Sequence, residues 1–163
     1  MRLLFSLFIF QASSVLGLAQ SNIPKVLKKL NKETIPYIYV KDILNEDTAL
    51  FLDAREQKEY NTSHLKNAIF VGYNKFDSKK VMDLISEKDT PIIVYCSIGV
   101  RSERIGEQIK KMGYTNVKNL YGGIFEWKNS GNKVYDINQK PTEKVHAFSE
   151  VWSKYLNAGN PVY

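Results

Sequence analysis

The sequence predicts a single α/β domain in which a parallel sheet is flanked by helices, and three observations carry that prediction. Strand-length segments recur at residues 37–40, 49–52, 68–71, 92–95 and 117–120, with helix-patterned or turn segments between them. That alternation implies parallel pairing through right-handed crossovers. The most apolar of these segments, Ile92, Ile93, Val94 and Tyr95, runs straight into Cys96, the only cysteine among 163 residues. Cys96 is thereby placed at the carboxyl edge of the sheet, where open α/β folds hold their ligands. The length suits one domain with a substantial core.

Each element follows from its local pattern. Residues 1–19 open with Met1 and Arg2, continue through an apolar segment at residues 3–10, and offer Gly17, Leu18 and Ala19 as small residues before a cut. They read as a secretory signal cleaved after Ala19, which exports the protein: periplasmic if bacterial, otherwise secreted. A retained membrane anchor is the rival reading, weakened by Gln11, Ser13 and Ser14, which interrupt a run already short for a bilayer span. Residues 20–34 form a lead-in whose amphipathic helix, at 22–31, has Pro24 in its first turn.

The next strand, at 37–40, precedes a brief helical turn at 41–45. A second strand at 49–52 ends on Asp53, Ala54 and Arg55, and a short helix at 56–60 leads to His64 in a polar turn. After the strand at 68–71, residues 78–86 read as a helix burying Val81, Met82, Leu84 and Ile85. Beyond Cys96, Ile105, Ile109 and Met112 fall at helical spacing, so a helix begins near Ser102 and stops at Gly113. The strand at 117–120 is followed by Tyr121, Gly122, Gly123 and a helical turn carrying Trp127. Residues 137–163 then add one C-terminal helix, capped by Thr142, with Val145, Phe148, Trp152, Tyr155 and Leu156 along one side. That stripe reads as core, with a lid or partner surface beside Cys96 as the sharper alternative. His146 lies off the stripe and reads as a solvated surface residue.

Composition narrows the function. The formal net charge of +6 is spread among interleaved acidic residues, with no aromatic and basic cluster, so it serves solubility and attraction of small anions and implies no nucleic acid. One cysteine excludes a disulfide framework and leaves an unpaired thiol. Two scattered histidines and that cysteine make no metal-ligand set, and no cofactor is called for. Once the signal is removed, no stable membrane association is expected.

The strand-to-helix junction favours a thiolate. The amides of Ser97, Ile98, Gly99, Val100, Arg101 and Ser102 can curl around the sulfur as an anion nest, and the positive end of the next helix points at the same spot. Arg101 adds a full charge, and Gly99 admits a backbone turn closed to other residues. A cysteine in such a field is a nucleophile at neutral pH; an inert buried cysteine is the alternative. Asp53 and Arg55 either buttress the loop from the neighbouring strand end or form a structural ion pair and turn cap.

Taken together, Leu52-Asp53-Ala54-Arg55 with Glu59-Tyr60, His64 with Ala68-Ile69, the segment from Val94 to Ser102, and Leu120-Tyr121-Gly122-Gly123 with Trp127 and Gly131 resemble the rhodanese homology domain in order and spacing. The resemblance covers residues 35–136 and implies a rhodanese-like parallel sheet of about five strands. It further implies that Cys96 takes a sulfane sulfur from a small anionic, thiosulfate-like donor and passes it as a persulfide to a thiol or cyanide. The acceptor would come from outside, and a thioredoxin-like protein is one such partner. By the same resemblance Arg101 holds the donor, Ser102 either bonds the persulfide or caps the helix, and His64 serves packing. Phosphatases of this fold, and arsenate reductases, are the chemical neighbours. Their family pattern separates Cys and Arg by five residues, whereas Ser97, Ile98, Gly99 and Val100 alone intervene here. A non-catalytic rhodanese-like binding module is the other class.

Overall fold

The computed structural model describes residues 22–45 and 48–163, so the expected signal at residues 1–19 lies outside the described residues. Five parallel strands form the main sheet in the order β1-β5-β4-β2-β3. They are β1 (Tyr37–Ile38), β2 (Leu50–Asp53), β3 (Ile69–Phe70), β4 (Ile92–Tyr95) and β5 (Val117–Leu120). β4 is central, with Leu52 opposite Val94 on one side and Val94 opposite Asn119 on the other. All four residues of β4 are buried, as expected of a strand covered on both faces.

Alternation along β4 divides the core. Ile93 and Tyr95 join Ile23 and Leu27 of α1 (Ile23–Leu30) and Ile124 and Phe125 of α5 (Gly123–Asn129). Ile92 and Val94 join Val81 of α3 (Ser78–Leu84) and Ile105 and Ile109 of α4 (Val100–Lys111). Successive side chains of a strand point to opposite faces, so two helical layers are both anchored by this one strand. Among the described residues, no helix is long and apolar enough to cross a membrane.

Three expectations about helices are corrected. α3 buries Val81 but leaves Met82 48% and Leu84 55% exposed, and Ile85 is buried just past its end. The helix ends at Leu84, Ile85 turns extended, and a seven-residue helix has no second buried turn to offer. α4 begins at Val100 rather than near Ser102, because Gly99 at φ 107° serves as its N-cap. Arg101 and Ser102 therefore sit in the first turn, where helical side chains lean back toward the preceding loop.

The third correction concerns the C-terminal segment, which is no single helix. Val134–Tyr135 (β6) pairs antiparallel with Pro141–Thr142 (β7), Lys144–His146 (β8) pairs parallel with Asn160–Val162 (β9), and Glu150–Ser153 (α6) is one short turn between β8 and β9. Val145, Tyr155 and Leu156 are core as expected, but a parallel pairing satisfies the backbone and buries β-branched Val145 without helical periodicity. His146, expected on the surface, is buried at the end of β8.

Candidate active site

Cys96 follows β4 at its carboxyl end and is 1% exposed. Its loop is held from outside. The amides of Ile124 and Phe125, in the first turn of α5, donate to the carbonyls of Cys96 and Ser97 at 2.9 and 3.1 Å. Gly123 makes that approach possible: a Cβ there would fall on the Cys96 carbonyl oxygen. With two loop carbonyls committed outward, loop amides turn inward, and the Gly99 N–H donates to Cys96 Sγ at 3.1 Å. The Gly99 carbonyl in turn accepts from Asn31 Nδ2 at 2.9 Å and Asn119 Nδ2 at 2.8 Å, tying the cradle to the end of α1 and to β5.

Ser102 does not cap α4. Its Oγ lies 2.7 Å from Asn119 Oδ1 and 3.5 Å from Cys96 Sγ, so one hydroxyl proton is shared between an amide oxygen and the sulfur. Burial pushes the Cys96 thiol up, but the charge of Arg101, the Ser102 hydroxyl and the amides of Ser102 and Gly99 outweigh it and hold the thiol below its ordinary range.

Both terminal nitrogens of the Arg101 guanidinium are engaged within the protein. Nη1 and Nη2 each donate to a separate oxygen of Glu59 at 2.7 Å, and Nη2 also donates to Ser97 Oγ at 2.9 Å. Ser97 Oγ donates to Glu59 Oε1 at 3.2 Å, closing a three-residue network. Burial alone would raise the Glu59 carboxyl, but the Arg101 hydrogen bonds and charge, aided by Arg55, hold it below the usual range. The fork expected to grip a donor's oxygens is thus occupied by a carboxylate of α2 (Gln57–Thr62). Sequence reasoning did not place Glu59 or Asn119 in the site; Glu59 stood in the quoted motif pattern, three residues after Glu56, whose N–H its Oε2 accepts at 3.0 Å.

Asp53 and Arg55 lie to the side, both wholly buried, and form the structural pair rather than a wall of the site. Arg55 Nε and Nη2 donate to Asp53, Nη2 also donates to the Ser63 carbonyl at 2.6 Å, and Tyr95 Oη donates to Asp53 Oδ2 at 2.7 Å. His64 is a packing residue, stacked 4.1 Å from the Tyr60 ring.

Cys96, Ser97, Ile98, Val100 and Arg101 line a cavity of about 190 Å³, while Gly99 and Ser102 support it from behind. Leu30, Phe148 and Trp152 complete the lining. Of the C-terminal stripe, Phe148 and Trp152 thus stand beside Cys96. Phe148 adopts φ 63°, a strained conformation for a large side chain; its N–H donates to His146 Nδ1 at 3.1 Å and its ring lies 5.4 Å from the Arg101 guanidinium. Chemically, the arrangement offers an activated thiol at the base of a small, largely apolar cavity.

Comparisons agree on the domain. The chain is 33% identical over 97 residues to a tRNA uridine(34) hydroxylase of Hamiltonella defensa, an alignment covering 58% of this chain and 27% of that protein. It thus spans about a quarter of the length of the curated relatives it matches. A rhodanese-related protein of Thermoplasma volcanium superposes with a TM-score of 0.52 at 26% identity, over 61% of this chain and 96% of that one. A thiosulfate sulfurtransferase of Pseudomonas aeruginosa superposes with a TM-score of 0.58 at 21% identity, over 83% of this chain and 26% of that one, a likeness of fold. The family model described as Rhodanese-like domain matches residues 37–130, which contain the sheet, the Cys96 cradle and the Glu59–Arg101 pair, and the chain belongs to that family.

Proposed function

We propose that this domain is a sulfurtransferase that carries a sulfane sulfur as a Cys96 persulfide and delivers it to an external thiol or to cyanide. The observation that supports this most is the state of Cys96: a thiol held low by Arg101, Ser102 and the Gly99 amide, at the base of a cavity it helps to line. In the first step the Cys96 thiolate attacks the outer sulfur of the donor. The bond from that sulfur to the rest of the donor breaks, and the leaving group departs with the electron pair. In the second step the acceptor attacks the outer sulfur of the persulfide, and the Cys96 thiolate is released. No general base is needed when the nucleophile is already ionised.

The short cradle favours sulfur over phosphorus. Four residues separate Cys96 from Arg101, and the Arg101 fork that would hold phosphoryl oxygens is engaged by Glu59. Intact-mass spectrometry after incubation with sulfane donors tests the reading. Wild type is expected to gain one sulfur atom on Cys96 and Cys96→Ala none. Failure of every donor to load Cys96 overturns the proposal, and turnover of a generic phosphate ester would replace it with a phosphatase.

A further inference from the structure

Three of the eight residues that line the Cys96 cavity come from outside the family domain. Leu30 ends α1, and Phe148 and Trp152 lie in the C-terminal segment, whereas the family model spans residues 37–130. Ile98 of the loop and Val100 at the start of α4 are apolar as well, and the Ser97 hydroxyl is engaged with Glu59 and Arg101. Arg101, the one cation among the described residues lining the cavity, has both terminal nitrogens on Glu59 and its face beneath Phe148.

From this wall we infer that the sulfur donor is a hydropersulfide on an uncharged, apolar body about the size of a phenyl ring, and that Phe148 and Trp152 select it. The inference rests on the sulfurtransferase reading and narrows its substrate. Thiosulfate brings two charges into an apolar cavity beside a thiolate and finds both terminal nitrogens of Arg101 already bonded to Glu59, so its oxygens lack the fork that would offset their desolvation. A hydropersulfide that enters in its neutral R–S–SH form, on an apolar body, meets no such penalty. The volume agrees: a cavity of about 150 Å³ lined by apolar side chains accepts benzene, and about 190 Å³ is present here. The exchange balances without a co-reactant. Cys96–S⁻ attacks the terminal sulfur of R–S–SH, the S–S bond breaks, R–S⁻ leaves with its electron pair, and the proton stays on the transferred sulfur as Cys96–S–SH. An acceptor thiolate then takes that sulfur and its proton by the same exchange.

The test compares three donors on the full chain: benzyl hydropersulfide released in situ, cysteine hydropersulfide and thiosulfate. Sulfur loading of Cys96 is followed by intact mass, and each rate is divided by the rate of the same donor with N-acetylcysteine methyl ester in solution, which removes intrinsic reactivity. Burying a phenyl-sized group is worth roughly tenfold to a hundredfold, so benzyl hydropersulfide is expected to lead both others by at least about tenfold. The Phe148→Ala/Trp152→Ala double variant should erase most of that lead. Thiosulfate loading as fast as the benzyl donor, or a lead that survives the double variant, overturns the inference and leaves the sulfurtransferase reading standing. Absence of loading by all three donors removes both. Alkylation of Cys96 by benzyl bromide against iodoacetate, normalised in the same way, reads the cavity's preference without sulfur transfer. Equal normalised rates there also overturn the assignment of the apolar wall.

Discussion

Glu59 and Arg101 meet through two parallel hydrogen bonds of 2.7 Å, joining α2 to the first turn of α4 across the mouth of the cradle. Side-chain exposure is 17% for Arg101 and 3% for Glu59, so the pair is largely shielded from solvent. A charge pair in that setting is costly to break from one side, because the remaining charge is left without a partner.

Glu59→Gln should accordingly destabilise the fold by about 3 kcal/mol, measured by urea unfolding at neutral pH. The same change frees the guanidinium, so thiosulfate should load Cys96 with a lower half-saturating concentration than in wild type. Glu59 also carries a pH signature. Its folded carboxyl titrates below the ordinary range, so its contribution is fully present above the unfolded value of about 4.3 and is lost as pH falls through the lower folded value. Unfolding midpoints taken downward from pH 5 should fall more steeply in wild type than in Glu59→Gln.

The Cys96 thiol should react as a thiolate at lower pH than cysteine in water. The pH profile of iodoacetamide alkylation is expected to have its midpoint below about 8.5, the ordinary value, and Ser102→Ala should move that midpoint up by removing a hydroxyl 3.5 Å from Sγ. A wild-type midpoint matching free cysteine would contradict the electrostatics of the cradle.

Gly123→Ala should damage the loop more than its size suggests. Its φ of 55° and the Cβ collision with the carbonyls of Cys96 and Ser97 act together, and strain plus overpacking amount to about 2–5 kcal/mol. Circular dichroism melting and Cys96 alkylation are expected to worsen together, because α5 and the cradle are locked to each other.

Asp53→Asn should remove the counter-charge of a fully buried arginine and cost about 3–5 kcal/mol. Asp53 does not line the cavity, so at low denaturant the surviving folded fraction should keep the alkylation profile of wild type. A stability close to wild type would show that Arg55 finds a second partner.

The sheet and the cradle were legible because their signals are local. An apolar run ending in Cys96, followed by Gly99 and helical spacing, fixes strand, turn and helix without long-range information. Glu59 was harder, because its role depends on a partner 42 residues away that only the fold brings near. The C-terminal stripe failed for a different reason. Val145, Phe148, Trp152, Tyr155 and Leu156 match a helical period, yet three of them reach the core from a strand and a post-helical turn, and Phe148 and Trp152 reach the cavity. Period alone does not distinguish a helix face from irregular chain held by a strand pairing, here Lys144 with Asn160, across a 13-residue connection.

On the proposed sulfurtransferase reading, the two amide bonds from α5 to the carbonyls of Cys96 and Ser97 leave the cradle little freedom to reshape between the empty and sulfur-laden states. Accommodation during turnover therefore falls to the outer wall, where Phe148 is 55% exposed and held at its strained turn by one bond to His146. Drift of this domain toward new substrates would accordingly be recorded in its tail, while the thiol's own setting stays fixed.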